Sequence, residues 1–152
     1  MLLGSFKYSM DSKGRVAIPA KLRKAVSPEA NETFVMVRGL VKCIDVYPLD
    51  LWNELVLKRV EKLDNFNSKA DTFIRLLVTK SAVVSLDSQS RLLIPKTLIE
   101  YAGIENEVLI LGAIRKIELW NPEIYEQYIS ENEAMYEQIA NEVMNAQKND
   151  VS

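Results

Sequence analysis

Short apolar runs broken by turn-forming clusters follow one another in the same order twice along this chain. Residues 6–10 and 16–18 read as strands of a basic hairpin around a turn at 11–14, because Asp and Gly together favour tight turns. Pro19 opens a short helix over 20–25 that offers Leu22 to a core. Residues 34–37 and 42–47 flank Leu40-Val41 as a second hairpin, with Gly39 suited to a turn conformation that other residues resist. From Asp50 the pattern turns helical, with Leu51, Leu55, Val56, Val60 and Leu63 spaced for one buried stripe. Ser68 followed by Asp71 marks a further helix start, and Phe73, Ile74, Leu77 and Val78 supply its apolar face. The plan then recurs. Strands over 82–86 and 92–94 enclose a turn at 87–90, and a helix from Pro95 ends at Gly103. A hairpin follows over 108–111 and 114–120. Asn121-Pro122 caps one long last helix in which Tyr125, Ile129, Tyr136, Ile139 and Val143 recur at mostly helical intervals. Residues 148–152 are expected to fray.

The recurrence is literal in places. Asp11-Ser12-Lys13-Gly14-Arg15-Val16-Ala17-Ile18-Pro19 returns as Asp87-Ser88-Gln89-Ser90-Arg91-Leu92-Leu93-Ile94-Pro95, an offset of 76 positions. Arg38-Gly39 is answered by Leu111-Gly112, and Ile44-Asp45-Val46-Tyr47 by Ile117-Glu118-Leu119-Trp120, at an offset of 73. The first copy therefore holds three more residues, placed by composition in the polar stretch 27–32, where a surface loop tolerates insertion. So many ordered matches argue for a duplicated unit. The chain divides into a first repeat at 5–50, a helical connector at 51–80, a second repeat at 81–124, and a C-terminal helix and tail at 125–152. A unit of roughly 45 residues buries too little apolar area to fold securely alone. The two copies are therefore expected to interlock as one pseudo-symmetric β-rich unit with its helices outside.

Composition narrows the chemistry. About half of the 152 residues are apolar, enough for a core, and no apolar run approaches the ~20 residues of a membrane span. The N-terminus lacks the basic start, long apolar centre and small-residue cleavage site of a secretory signal, so a cytoplasmic location is expected. One cysteine, Cys43, fits a reducing compartment and reads as a small buried apolar residue in a strand. Histidine is absent, so the usual zinc sets and the Ser-His or Cys-His nucleophile pairs cannot be assembled within one chain. Nor is there a spaced carboxylate cluster, a Walker-type loop or a dinucleotide fingerprint. The expectation is a chain that is no enzyme, with no metal, cofactor, membrane or small-molecule substrate.

Charge is what suggests a partner. The net value is only −2, but residues 7–24 carry +5 and residues 118–152 carry −7. A nucleic-acid footprint needs local rather than global excess, and the basic end lies in the first repeat.

The pattern Asp-x-x-x-Arg, then a small or aliphatic pair, Ile and Pro, resembles the SpoVT/AbrB class of bacterial DNA-binding proteins. Two copies in a chain of this length, with Met1-Leu2-Leu3-Gly4-Ser5-Phe6 at the start and Glu118-Leu119-Trp120 near the end, resemble the MraZ family, over nearly the whole chain. That resemblance implies an α+β fold in which two tandem repeats form a pseudo-symmetric swapped-hairpin β-barrel with peripheral helices. It also implies ring-shaped homo-oligomers and nucleoid-associated transcriptional control at promoter repeats of the division and cell-wall gene cluster. Arg15 and Lys13 match the positions that meet double-stranded DNA in such proteins. The chemistry agrees, since a two-stranded ribbon fits the major groove and arginine can grip guanine O6 and N7 through parallel hydrogen bonds.

Roles divide by side chain. Arg15 reads as a base contact, against the blander alternative of a salt bridge worth ~0–1 kcal/mol on a surface. Lys13 suits phosphate, being a point charge without a planar fork. Lys7, Lys21, Arg23 and Lys24 widen the contact if they are more than solvated charges, and Arg91 is a weaker contact or a packing element. Asp11, Gly14 and Asp87 are structural turn residues, with Asp11 holding the guanidinium or capping turn amides. In the second copy Gln89-Ser90 replaces Lys13-Gly14, which removes a charge and costs ~1–2 kcal/mol if a left-handed turn is required there. Ile18, Pro19, Ile94 and Pro95 are core and helix-start positions. Three other readings stand beside this one: a ring-forming scaffold recruiting a partner through the acidic C-terminal helix, an antitoxin-like DNA binder with a toxin-binding tail, and an uncharacterised hydrolase.

Overall fold

Alternation fixes the first strand. In β1 (Leu2–Ser9) burial follows every second residue, with Leu2, Phe6 and Tyr8 turned inward. β1 does not pair with β2 (Arg15–Ala17), although the turn between them closes through Gly14 N to Asp11 O and Asp11 N to Arg15 O, both 3.0 Å. The expected basic hairpin is thus corrected. β1 runs antiparallel to β7 (Glu107–Ile114) of the second copy, and β2 to β6 (Arg91–Leu93). The local turn signal was sound, but the strand partners are set by long-range burial.

The computed structural model describes residues 1–151, of which Met1–Pro122 form one compact unit. Its six-stranded antiparallel sheet has the order β1-β7-β8-β4-β3-β5, with β3 (Thr33–Arg38), β4 (Ile44–Pro48), β5 (Ala82–Ser85) and β8 (Ile117–Trp120). β2 and β6 make a separate two-stranded ribbon. Pairing is symmetric under exchange of the copies: β1 with β7 answers β5 with β3, and β4 pairs with its counterpart β8. No pairing joins β1 to β5 among the described residues. The architecture is α+β with two repeats, and the closed barrel expected from the resemblance is not found as a closed sheet.

Pro19 and Pro95 start α1 (Ala20–Ala25) and α5 (Lys96–Ala102), whose Leu22, Leu98 and Ala102 are fully buried. They join Val16, Ile18, Phe34, Met36, Leu92, Ile94 and Ile110 in one core built from both copies. Each such aliphatic side chain contributes ~1.5–3 kcal/mol by leaving water. The inserted loop carries a short 3₁₀ turn, Pro28–Ala30, with Asn31 and Glu32 at positive φ. Gly39 is needed for space rather than for its turn conformation: a Cβ there would lie 2.6 Å from the Cys43 sulfur.

The connector departs from expectation in its packing. α2 (Leu49–Leu51), a π-helical stretch (Trp52–Leu57) and α3 (Lys58–Glu61) form one helical run, followed by α4 (Ser68–Thr79). Asn67 rather than Ser68 caps α4, its Oδ1 accepting from Lys69 N and Ala70 N. No residue of these helices is fully buried, so the predicted buried stripe is only half covered. The last helix is two: α6 (Pro122–Glu133) and α7 (Tyr136–Val151). Residues 123–151 constitute the second compact unit. The helix runs on through Val151, and Ser152, the last residue of the stretch expected to fray, lies outside the described residues.

Candidate nucleic-acid interface

The two Asp-x-x-x-Arg turns are built alike. Asp11 Oδ1 accepts from Lys13 N and Arg15 N, both at 2.9 Å, and Oδ2 accepts from Arg15 Nε at 2.7 Å. Asp87 repeats this, with Gln89 N at 2.8 Å and both Arg91 N and Arg91 Nε at 2.9 Å. One carboxylate therefore ties the turn and orients the arginine that follows it. The Arg15 amide above all, with the Arg15 side chain and the Lys13 amide, holds the Asp11 carboxyl down at about 2. Asp87 is lowered from its ordinary value in the same way, chiefly by the Arg91 amide. Position four of each turn is left-handed, with φ +83° at Gly14 and +60° at Ser90. Serine thus occupies a conformation that glycine adopts more easily.

The β2–β6 ribbon brings the turns together. Arg15 lies opposite Leu93 and Ala17 opposite Arg91, and the ribbon is extended at both ends by Ile18 N to Ser90 O at 3.0 Å and Ile94 N to Gly14 O at 2.9 Å. Arg91 reaches across, its Nη1 3.7 Å from Asp11 Oδ2. The carboxylate of the first repeat is thus shared by arginines of both. Their side chains keep 31% and 25% of their exposure, which leaves part of each guanidinium open to solvent. Lys13 and Gln89 stand exposed at the two tips.

Other predicted contact residues are dispersed. Lys7 is exposed on β1 opposite Leu109, and Lys21 and Lys24 are exposed on α1. Arg23 donates through Nε to Ile18 O at 2.9 Å, so part of its fork fastens α1 to the end of β2. None of these four joins the ion-paired cluster among the described residues. What the structure gathers is Asp11, Lys13, Arg15, Asp87, Gln89 and Arg91.

A second polar cluster was missed from sequence. Asp45 and Glu118, equivalent positions of the two copies, face each other across β4 and β8, and Lys116 Nζ bridges them at 3.1 and 3.2 Å. Like charges directly opposite on paired strands repel, and the lysine offsets that. Burial pushes the Asp45 carboxyl above its ordinary value despite Lys116, whereas the two carboxylates raise the Lys116 ammonium. The Cys43 thiol, 3.6 Å from Asp45 Oδ1, is pushed far up by burial and by that carboxylate. Cys43 is buried as expected, but in polar company and just ahead of β4. Cys43, Asp45 and Glu118 bring three donor atoms within 4.8 Å. With Lys116 as counter-charge and the thiol protonated, the set reads as structural. The available signal was an acid inside an apolar strand at matching positions of both repeats.

Among the described residues no helix is long and apolar enough to cross a membrane. The family described as "MraZ protein, putative antitoxin-like" matches the chain twice, over residues 1–76 and 77–146. Similar proteins include the transcriptional regulator MraZ of Christiangramia forsetii, 36% identical over 144 residues that cover 94% of this chain and 92% of that protein. The protein of that name from Halothermothrix orenii is 39% identical over 140 residues, covering 92% of this chain and 94% of its own. The one from Natranaerobius thermophilus is 36% identical over 144 residues, covering 95% and 97%.

Proposed function

This chain belongs to the MraZ family, which is a family of transcriptional regulators and not of enzymes, and from that premise we propose that it is a sequence-specific DNA-binding regulator of transcription. The observation that carries the reading is the composite cluster in which Asp11 holds Arg15 Nε at 2.7 Å and lies 3.7 Å from Arg91 Nη1. An arginine held through Nε keeps its two terminal nitrogens for a fork contact with guanine. Arg15 reads a base, Lys13 meets phosphate, and Arg91, whose Nη1 also faces Asp11, adds a second guanidinium from the other repeat. Lys7, Lys21 and Arg23 contribute flanking charge, while Asp11, Gly14 and Asp87 shape the turns. The partner is double-stranded DNA at promoter repeats of the division and cell-wall gene cluster, met in the cytoplasm at the nucleoid. The chain acts as a ring-shaped homo-oligomer, whose copies multiply a weak single contact when their spacing matches the sites.

The exchange of strands between copies supports reading residues 5–50 and 81–124 as repeats that form a pseudo-symmetric, hairpin-swapped, barrel-like unit. On this reading 51–80 is a connector and 125–152 an appended helical tail. The test is a gel-shift titration of wild type and Arg15→Ala on a promoter fragment, with size exclusion as control. A lost bidentate contact is worth ~1–3 kcal/mol, about five- to 150-fold per engaged turn. Arg15→Ala should therefore lose specific binding while the oligomer persists. Unchanged specific affinity would overturn the assignment.

A further inference from the structure

Two apolar faces of this chain are left open. The first is a cleft of about 680 Å³ between the connector helices and the β3–β4 hairpin, walled by Leu55, Val60, Leu63, Phe73, Leu76 and Leu77. Phe73 and Leu76 remain 42% and 52% exposed, although the spacing along α4 is that of a helix with a buried face. Such half-covered stripes are unusual in a finished core and mark interaction sites. Arg38 and Arg59 lie in its lining, and Lys58 and Lys62 stand exposed beside Arg59. Arg38 is fixed by donating from Nε and Nη2 to Leu76 O, while Lys58, Arg59 and Lys62 have no ion pair among the described residues.

The second face lies on α7. Tyr136, Ile139, Val143 and Met144 recur at helical spacing and are 75%, 42%, 59% and 70% exposed. Glu137 and Glu142 are exposed on the same helix, and neither has an ion pair among the described residues. A helix of this kind fits an apolar groove with cations at its edge. Every molecule carries one of each face, so supply and demand match between copies.

We propose that the cleft lined by α4 and the connector receives the apolar face of α7 from a second copy of this chain. The proposal rests on the self-assembly reading above and gives it an interface. A ring needs a head-to-tail contact between two different surfaces, since a self-complementary patch closes at a dimer. The cleft and α7 are two such surfaces, apolar at their centres, with Arg59, which has no ion pair among the described residues, in the lining of the one and Glu137 and Glu142 exposed along the other. Leu55, Phe73 and Leu76 would seat the α7 side chains, with Arg59 meeting Glu137 or Glu142.

Trapping tests it. Full-length Leu76→Cys and Val143→Cys chains carrying different tags are mixed under conditions of subunit exchange and treated with a short bismaleimide. The native Cys43 is buried and stays silent. A cross-linked dimer holding one of each tag, absent from either variant alone, is the expected result. An assembled mixed oligomer with no link between the two tags overturns the proposal and leaves self-assembly standing. Light scattering that shows wild type to be a monomer overturns both. As a second variant, Val143→Asp at this exposed position should weaken self-association at least tenfold with helix content unchanged, and an unaltered oligomer would count against the interface. DNA binding is read separately, so it neither rescues nor sinks the result.

Discussion

The strongest demand on the composite interface falls on Gln89. It occupies the position that Lys13 holds in the first repeat, and the two backbones are tied alike, with their amides 2.8 and 2.9 Å from the Asp87 and Asp11 Oδ1 atoms. Both side chains are exposed. Gln89→Lys therefore adds a cation without asking the turn to move. If both turns face the duplex, the added ammonium neutralises one more phosphate per engaged copy, and log K against log [salt] steepens by ~0.9. Doubling the salt then weakens the variant about 1.9-fold more than wild type, and a tenfold rise separates them about eightfold. Lys13→Ala moves the slope the same distance the other way. The assay is fluorescence anisotropy of a labelled promoter duplex over a salt series, with size exclusion showing that oligomeric state is constant. A scrambled duplex should give the same change in slope, because phosphate contacts carry no sequence information. If Lys13→Ala flattens the line while Gln89→Lys leaves it unmoved, only the first turn reaches DNA and the composite interface is wrong. If neither variant moves it, the ribbon is not the contact surface.

Lys116→Met strands two facing carboxylates in a partly buried cluster, and leaving such groups without their partner costs ~1–3 kcal/mol. Because burial raises Asp45, the variant is most stable below the ordinary carboxylate pKa and loses stability as pH rises through the raised one. Urea denaturation should show a deficit that grows toward neutral pH and shrinks in Lys116→Met/Asp45→Asn; a single variant as stable as wild type refutes the argument. Gly14→Ala places a Cβ 3.2 Å from Ile99 Cδ1 and 3.3 Å from Ile94 O at φ +83°, so it should destabilise by ~1–2 kcal/mol. Ser90→Gly relieves the same conformation but loosens the unfolded chain by ~0.5–1 kcal/mol, leaving a small net change in denaturant midpoint; equal effects at both sites would remove the strain reasoning. Asp11, depressed to about 2 from 3.8, stabilises its turn above the ordinary carboxylate range and loses that effect as pH falls through about 2. An NMR titration of its carboxyl carbon should place the midpoint there, and an ordinary midpoint would mean that the carboxylate does not hold the arginine.

What the sequence made legible was whatever local chemistry decides. Asp at the start of a turn, Gly14 within it, Pro19 and Pro95 at helix starts, and Gly103 at φ +66° each act over a few residues, and the repeat doubles every signal. Strand partners were hidden because nothing in residues 6–18 distinguishes a hairpin from two strands given to different sheets. The choice belongs to Leu22, Phe34, Leu92 and Leu98, which meet in one core only if the copies exchange strands. The connector misled for the opposite reason: its periodicity was right, but periodicity states which face is apolar and not whether this chain covers it. The break between α6 and α7 had no signal, since Ala134 and Met135 are good helix formers.

The same distinction explains how the site was read. Lys13, Arg15 and Asp11 stay together because they sit within one turn, whereas Lys7, Lys21 and Arg23 are near them in sequence and are dispersed by β1 and α1. Arg91 has the carboxylate of its own turn, Asp87, at 2.9 Å, and what the sequence could not show is a second one, Asp11 of the other repeat, at 3.7 Å. Exchange of the copies brings equivalent residues together along the β2–β6 ribbon, Val16 opposite Leu92, as it brings Asp45 to Glu118 along β4 and β8, but the approach of Arg91 to Asp11 has no counterpart between Arg15 and Asp87 among the ion pairs of the described residues. A perfectly symmetric ribbon would meet DNA identically in both orientations. Lys13-Gly14 against Gln89-Ser90 breaks that equivalence at the tips and Val16-Ala17 against Leu92-Leu93 breaks it along the strands, while the arginine is kept in both turns. If the ribbon meets DNA as proposed, the duplication supplies the arginine twice, and the loss of the Lys13 charge at Gln89 gives the contact a direction.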